Sequence, residues 1–234
     1  MWSPYDARVW RWFRRRPART AIYTAIYGGY DRLAPQPELD GVDWVCFTDN
    51  AELMASPWTT QVEPSRYRHP RLSAKWFKTH PHRAVGEYQR TIWIDGNMRV
   101  TSPTFVHELL EILGDQPLAI FPHPDRDNIF DEADESAAMP KYHELPVFEQ
   151  VQHYRRQGFI EKELYACGVL VRDNVDRRMR RLNEAWLAEC LRWTYQDQLS
   201  LPYLLWRHNV RPALIPYNLW DNHLIEFQPH LSDL

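Results

Sequence analysis

The chain has 234 residues, 44% hydrophobic and 25% charged, enough to bury a proper core as one large domain or two small ones. Its 28 Lys and Arg against 31 Asp and Glu leave a formal net charge of −3, which argues against a general nucleic-acid binder. The 3 cysteines, Cys46, Cys167 and Cys190, form no CxxC pair and give no zinc signature, and no apolar run approaches the roughly 18 residues of a membrane span.

No signal peptide is visible, so a cytoplasmic, bacterial-type protein is the default expectation. The aromatic content is high, with 11 Trp and 12 Tyr. Such side chains line grooves that stack sugar or base rings, and they equally fill an ordinary core.

In chain order, residues 1–19 come first as a basic and aromatic leader, with Arg11, Arg14, Arg15, Arg16 and Arg19 among Trp10, Trp12 and Phe13. This composition suits peripheral contact with the inner, anionic membrane surface, or a solvated helix that packs its Trp residues on the domain. The remainder, 20–234, carries no Gly/Ser linker and no repeat.

Strands are predicted at 21–27, 44–47, 91–94, 118–121, 165–171 and 213–215, each short, rich in Ile, Val, Tyr or Trp, and bounded by turn residues. Helices are predicted at 71–79, 104–113, 128–138, 147–157, 177–192 and 197–207. Ser102-Pro103 before FVHELLEIL marks a helix start. This alternation predicts a single α/β domain with a mostly parallel sheet flanked by helices.

In open α/β sheets ligands collect at the carboxyl ends of strands. Acids recur at those ends here: Tyr30-Asp31, Asp49-Asn50, Asp95-Gly96-Asn97, Asp125-Arg126 and Asp173-Asn174. The sharpest case is TIWIDGNMRV (91–100), an apolar strand ending in Asp95. A carboxylate there can meet a divalent cation or a ribose hydroxyl. Asp-Gly between apolar runs is also a strong hairpin signal.

Before it, Arg71, Lys75 and Lys78 recur at helical spacing, so they share one face that suits a diphosphate or is simply solvated. His80 and His82 flank Pro81 and are weaker metal candidates. His123 and Arg126 follow another strand, and Asp131 and Glu132 open the next helix as a candidate base or as acids favoured in a first turn. Gly168 inside YACGVLVRDN suggests close approach of a ligand or another backbone. Asp197 and Gln198 open the last long helix, either capping it or facing a sugar pocket.

Taken together, IYTAIYGGYDRL, VDWVCFTDN, AKWFKTHPH, YQRTIWIDGNMRV, FPHPDRDNIFDEA, ACGVLVRDN and DQLSLPYLL resemble a glycosyltransferase-like domain formerly catalogued as a domain of unknown function. Its members occur in bacterial cell-surface gene contexts and among plant mucilage-synthesis proteins. The stretches run from Ala21 to Leu205, most of the chain. The resemblance implies a GT-A-like, Rossmann-like fold and a UDP-sugar or similar nucleotide-diphosphate sugar as donor. Asp95 and Asn97 then stand where a D-x-D binds Mn2+ or Mg2+ and ribose, and His230 would complete the metal shell, with His223 as runner-up.

On the same resemblance, Asp197 and Gln198 contact the donor sugar, and the Tyr27, Gly28, Tyr30 turn holds the nucleotide base with Asp49 beside it. Lys75, Lys78, His123 and Arg126 would neutralise the diphosphate, and Glu132 would serve as base in an inverting reaction. Asn97 departs from the D-x-D pattern and removes one negative charge, which puts metal dependence in doubt. One plant member is described as a ceramidase, so an amide or sugar-nucleotide hydrolase is one rival reading. A non-catalytic glycan- or membrane-binding module is the other.

Overall fold

Ile22 and Tyr23 are neighbours on one strand, yet they belong to two separate apolar cores, one on each face of a sheet. Side chains alternate across a strand, so a strand buried on both faces reads as a mostly apolar run. The computed structural model describes residues 20–160 and 162–229. The leader, residues 1–19, and His230 lie outside the described residues.

The elements in order are β1 (Thr20–Ile26), β2 (Val42–Thr48), β3 (Thr59–Val62), α1 (Pro70–Thr79), α2 (Pro81–Ala84), β4 (Arg90–Ile94), β5 (Met98–Val100), α3 (Phe105–Leu113) and β6 (Leu118–Pro122). There follow α4 (Ile129–Ala138), α5 (Val147–Arg156), β7 (Tyr165–Asp173), α6 (Arg177–Arg192), α7 (Asp197–Arg207), β8 (Ala213–Leu214) and β9 (Ile225–Phe227).

The main sheet has 7 strands in the order β3-β2-β1-β4-β7-β6-β8. Pairing is parallel from β3 through β2 and β1 to β4, and again between β6 and β8. Only β7 runs antiparallel to its neighbours β4 and β6. The chain is therefore a single α/β domain with a mostly parallel sheet flanked by helices, as its alternating pattern predicts.

The larger core lies under α1, α4, α5, α6 and α7, around Tyr23, Phe77, Trp93 and Trp186. The smaller one lies under α3, around Ile22, Ile92, Phe105 and Val169. Cys46, Cys167 and Cys190 are free and buried, packing as small hydrophobes. No helix among the described residues is long and apolar enough to cross a membrane.

The six predicted strands all form, and three more appear. β3 is an exposed edge strand, TTQV, with little apolar signal. β5 and β9 pair antiparallel as a separate two-stranded sheet, Met98 facing Phe227 across most of the chain. This settles the hairpin alternative for Asp-Gly-Asn. The turn exists, with Met98 N donating to Asp95 O at 3.0 Å. But β4 and β5 do not pair with each other, because β4 is already occupied on both edges by β1 and β7.

Helix starts follow their caps. Thr104, one residue beyond Ser102-Pro103, is the N-cap of α3. Asn128 caps α4 by accepting from the backbone N–H groups of Phe130 and Asp131, and Asp176 caps α6 in the same way.

Candidate active site

β4 runs apolar through Ile92, Trp93 and Ile94, each buried, and then delivers Asp95 at the sheet edge with its side chain 40% exposed. Asp95 N donates to Gly168 O at 2.9 Å, which joins the ends of β4 and β7. A Cβ at Gly168 would stand 2.2 Å from Met98 Cε, so a larger residue there would need the end of the Met98 side chain to move aside. One oxygen of Asp95, Oδ1, accepts from Trp93 Nε1 at 2.7 Å and from Lys78 Nζ at 3.1 Å.

Lys78 comes from the last turn of α1, whose Pro70 start places Arg71, Lys75 and Lys78 on one face. Its ammonium is buried and bridges two carboxylates, Asp95 Oδ1 and, at 2.8 Å, Asp197 Oδ2. Lys75 Nζ reaches the same Asp197 oxygen at 2.6 Å. Burial opposes ionisation of Asp197, yet Lys75 and Lys78 together hold its carboxyl down to about 2. Burial likewise opposes the charge on Lys78, and Asp197 and Asp95 more than offset it.

Arg172, fully buried on β7, donates through Nη1 to Lys78 O at 2.7 Å and through Nη2 to the Tyr23 hydroxyl. A cation at the carboxyl end of α1 complements the helix dipole and fixes the turn that carries Lys78.

Lys75, Lys78, Trp93, Asp95, Gly168 and Asp197 line a cavity of about 910 Å³, within the range of ligand sites. Its cationic wall also includes Arg71, whose guanidinium lies 3.9 Å over the ring of Tyr30, and Lys141. Desolvation at the cavity mouth, with Arg71 and Lys75 nearby, draws the Lys141 ammonium below the ordinary lysine range. The lining also includes aromatic residues, among them exposed Trp220, which leans on Phe227 at 4.9 Å between ring centres. Gln198 lines the cavity too, held by donation from its Nε2 to Tyr165 O at 3.3 Å.

Of the residues singled out in the sequence, Tyr30, Asp31, Arg71, Lys75, Lys78, Asp95, Gly96, Asn97, Gly168, Asp197 and Gln198 meet at this cavity. Others do not line it, and each has a different task. Tyr27 is buried and stacks on Phe77, while Gly28, at φ +69°, donates its N–H to Asp49 at 3.0 Å. That trio builds the turn which presents Tyr30, instead of forming a base pocket itself.

Glu132 is not a free carboxylate. It is buried and accepts from Arg126 Nε at 2.7 Å and Gln196 Nε2 at 2.8 Å, with His123 Nε2 at 3.7 Å. His123 Nδ1 in turn accepts from the backbone N–H groups of Asp125 and Arg126. Glu132, Arg126 and His123 therefore brace Gln196, which does line the cavity, and do not line it themselves. His80 and His82 both bond Glu184 on α6, and His223 bonds Glu108 on α3.

Asp95 and Asn97 offer a divalent metal one carboxylate and one amide, and His230, the third ligand the resemblance implies, lies outside the described residues. Among the described residues no group of three or more His, Cys, Asp or Glu side chains converges for an ion. Asp95 Oδ1 already holds an ammonium and an indole N–H, and Asn97 Nδ2 donates to Gln228 O at 3.4 Å.

Sequence reasoning missed Lys141, Tyr142, Tyr195 and Trp220 as cavity residues. The first two lie in the loop after α4 and Trp220 follows β8, all without a motif. Tyr195 carried one weak signal, its position two residues before Asp197.

The profile of the TOD1/MUCI70 glycosyltransferase-like domain matches residues 18–223. No curated protein matches the chain. Among solved structures it is similar to the apo structure of WbbM, a bifunctional glycosyltransferase, with a TM-score of 0.46 and 14% identity. That similarity covers 85% of this chain and 39% of WbbM, so the chain spans well under half the length of that protein.

Proposed function

The chain belongs to the TOD1/MUCI70 glycosyltransferase-like family, and on that premise we propose that it moves a hexose from a nucleotide-diphosphate sugar to a hydroxyl of a glycan, lipid or small-molecule acceptor. A UDP-linked hexose is the first donor to test. The observation that carries this reading is the meeting of Asp95, Asp197 and Gln198 with Arg71, Lys75 and Lys141 around one cavity of about 910 Å³.

In the proposed reaction the bond from the anomeric carbon to the diphosphate breaks and the acceptor oxygen bonds that carbon, losing its proton. Negative charge grows on the departing diphosphate, and the Arg71, Lys75 and Lys141 side chains lie on one wall to receive it. Asp95 at the strand end is suited to accept from ribose hydroxyls. Asp197, kept ionised by its lysines, and Gln198 are suited to orient the donor sugar. Preorganised charges of this kind act most strongly where water is excluded.

A thermal-shift screen of nucleotide sugars, with and without manganese, tests the reading. At a hundredfold excess over Kd the correct donor raises Tm by roughly 5 °C, and Asp95→Ala loses that rise while remaining folded. A wild-type chain indifferent to every nucleotide sugar at millimolar concentration contradicts it.

A further inference from the structure

Two carboxylates aimed at one point ordinarily gather a cation between them. Here the point is filled by the chain itself. Lys78 Nζ lies 3.1 Å from Asp95 Oδ1 and 2.8 Å from Asp197 Oδ2, and its side chain is 3% exposed. It has little freedom to leave. Its stem is buried against Trp93, whose ring centre is 5.5 Å from Nζ, and its backbone carbonyl is held by Arg172 at 2.7 Å.

Lys75 adds a second ammonium 2.6 Å from the same Asp197 oxygen. A divalent ion between the two carboxylates would have to displace this fixed positive charge, and one beside the other oxygen of Asp95 would sit within a few ångströms of it. Repulsion at that distance is large in a poorly solvated site. The neighbouring Asn97 brings no charge in compensation.

We infer that the Lys78 ammonium takes the place of a divalent cation between Asp95 and Asp197, and that Arg71, Lys75 and Lys141 receive the donor diphosphate, so that nucleotide binding is independent of metal. The inference rests on the proposed nucleotide-sugar site and assigns its charge-neutralising group. Lys75 and Lys141 act as point charges, and the Arg71 guanidinium, its central carbon 3.9 Å from the centre of the Tyr30 ring, offers a fork for bidentate contact with phosphate oxygens.

The test is calorimetric titration of the EDTA-treated full-length chain with UDP-, GDP-, ADP- and TDP-hexoses, in EDTA and again in manganese. It is paired with paramagnetic-resonance titration of Mn2+ into the protein without nucleotide. The expected result is a donor Kd that agrees within about twofold in the two buffers, and a Mn2+ signal undiminished by the protein. Lys141→Met, at a solvent-facing position that folding does not need, weakens donor binding about tenfold in EDTA.

Donor binding that appears only with manganese, or stoichiometric loss of the Mn2+ signal, overturns the inference and leaves the nucleotide-sugar reading standing. Unaltered affinity in Lys141→Met overturns its assignment of the diphosphate. No donor binding in either buffer overturns the nucleotide-sugar reading and this inference with it.

Discussion

Lys78 Nζ and Asp197 Oδ2 lie 2.8 Å apart with side chains only 3% and 5% exposed, so neither charge has water to fall back on. The pair ties α1 to the first residue of α7, and thereby sets the width of the cavity between them. Removing one partner leaves the other buried and uncompensated, which is far costlier than losing an exposed ion pair.

Asp197→Asn is expected to lower stability at pH 7 by about 2–4 kcal/mol. The carboxyl is depressed from 3.8 to about 2 in the folded chain. Its contribution is thus fully present above the unfolded value and is lost as pH falls through the folded one. Urea unfolding of wild type and variant between pH 7 and pH 2 checks this. The gap between them stays constant down to about pH 4 and then closes. A gap that persists at the acid end contradicts the assignment.

Glu132 braces Gln196 and has no contact with the cavity, so Glu132→Gln is expected to act through stability. A loss of about 2–4 kcal/mol follows from leaving Arg126 without its carboxylate. The pH dependence of kcat keeps its shape. Disappearance of one limb of that profile would instead identify Glu132 as the base.

Gly28 stands at φ +69°, and a Cβ there would meet the Pro70 ring at 2.8 Å. Gly28→Ala therefore strains the backbone and pushes on the first residue of α1. A loss of about 1–3 kcal/mol by denaturant unfolding is expected, with weaker donor binding as Tyr30 and Arg71 move apart. Unchanged stability would show that the turn has another conformation open to it.

Trp220 lines the cavity and is 58% exposed, an unusual position for an indole. Sugar faces stack on such rings, so Trp220→Ala is expected to raise the acceptor KM about five- to tenfold while donor Kd stays put. Equal losses in both would place the indole against the donor.

Much of this architecture was legible in the chain. The strand cores were readable because β1, β2, β4, β6 and β7 are buried on both faces and therefore mostly apolar. The apolar run before it placed Asp95 at a strand end, while Asp-Gly-Asn taken alone read equally as a hairpin turn. Helical spacing alone placed Arg71, Lys75 and Lys78 together.

What was illegible depends on distant pairing. β5 and β9 are three residues each and meet only once the whole domain has closed. Glu132 looked available because an acid in a first turn gives no sign that Arg126 will fold over it. The basic face looked like a diphosphate clamp because nothing in the spacing shows that Lys78 turns inward onto Asp197.

The most direct test of the transfer reaction is mass-spectrometric analysis of products from nucleotide hexoses offered with a panel of hydroxyl acceptors. The wild-type chain should yield hexosylated acceptor and nucleotide diphosphate in equal amounts, and Asp95→Ala, verified as folded, should be slower by about a hundredfold. Free hexose as the main product, or an Asp95→Ala variant as fast as wild type, would contradict the account.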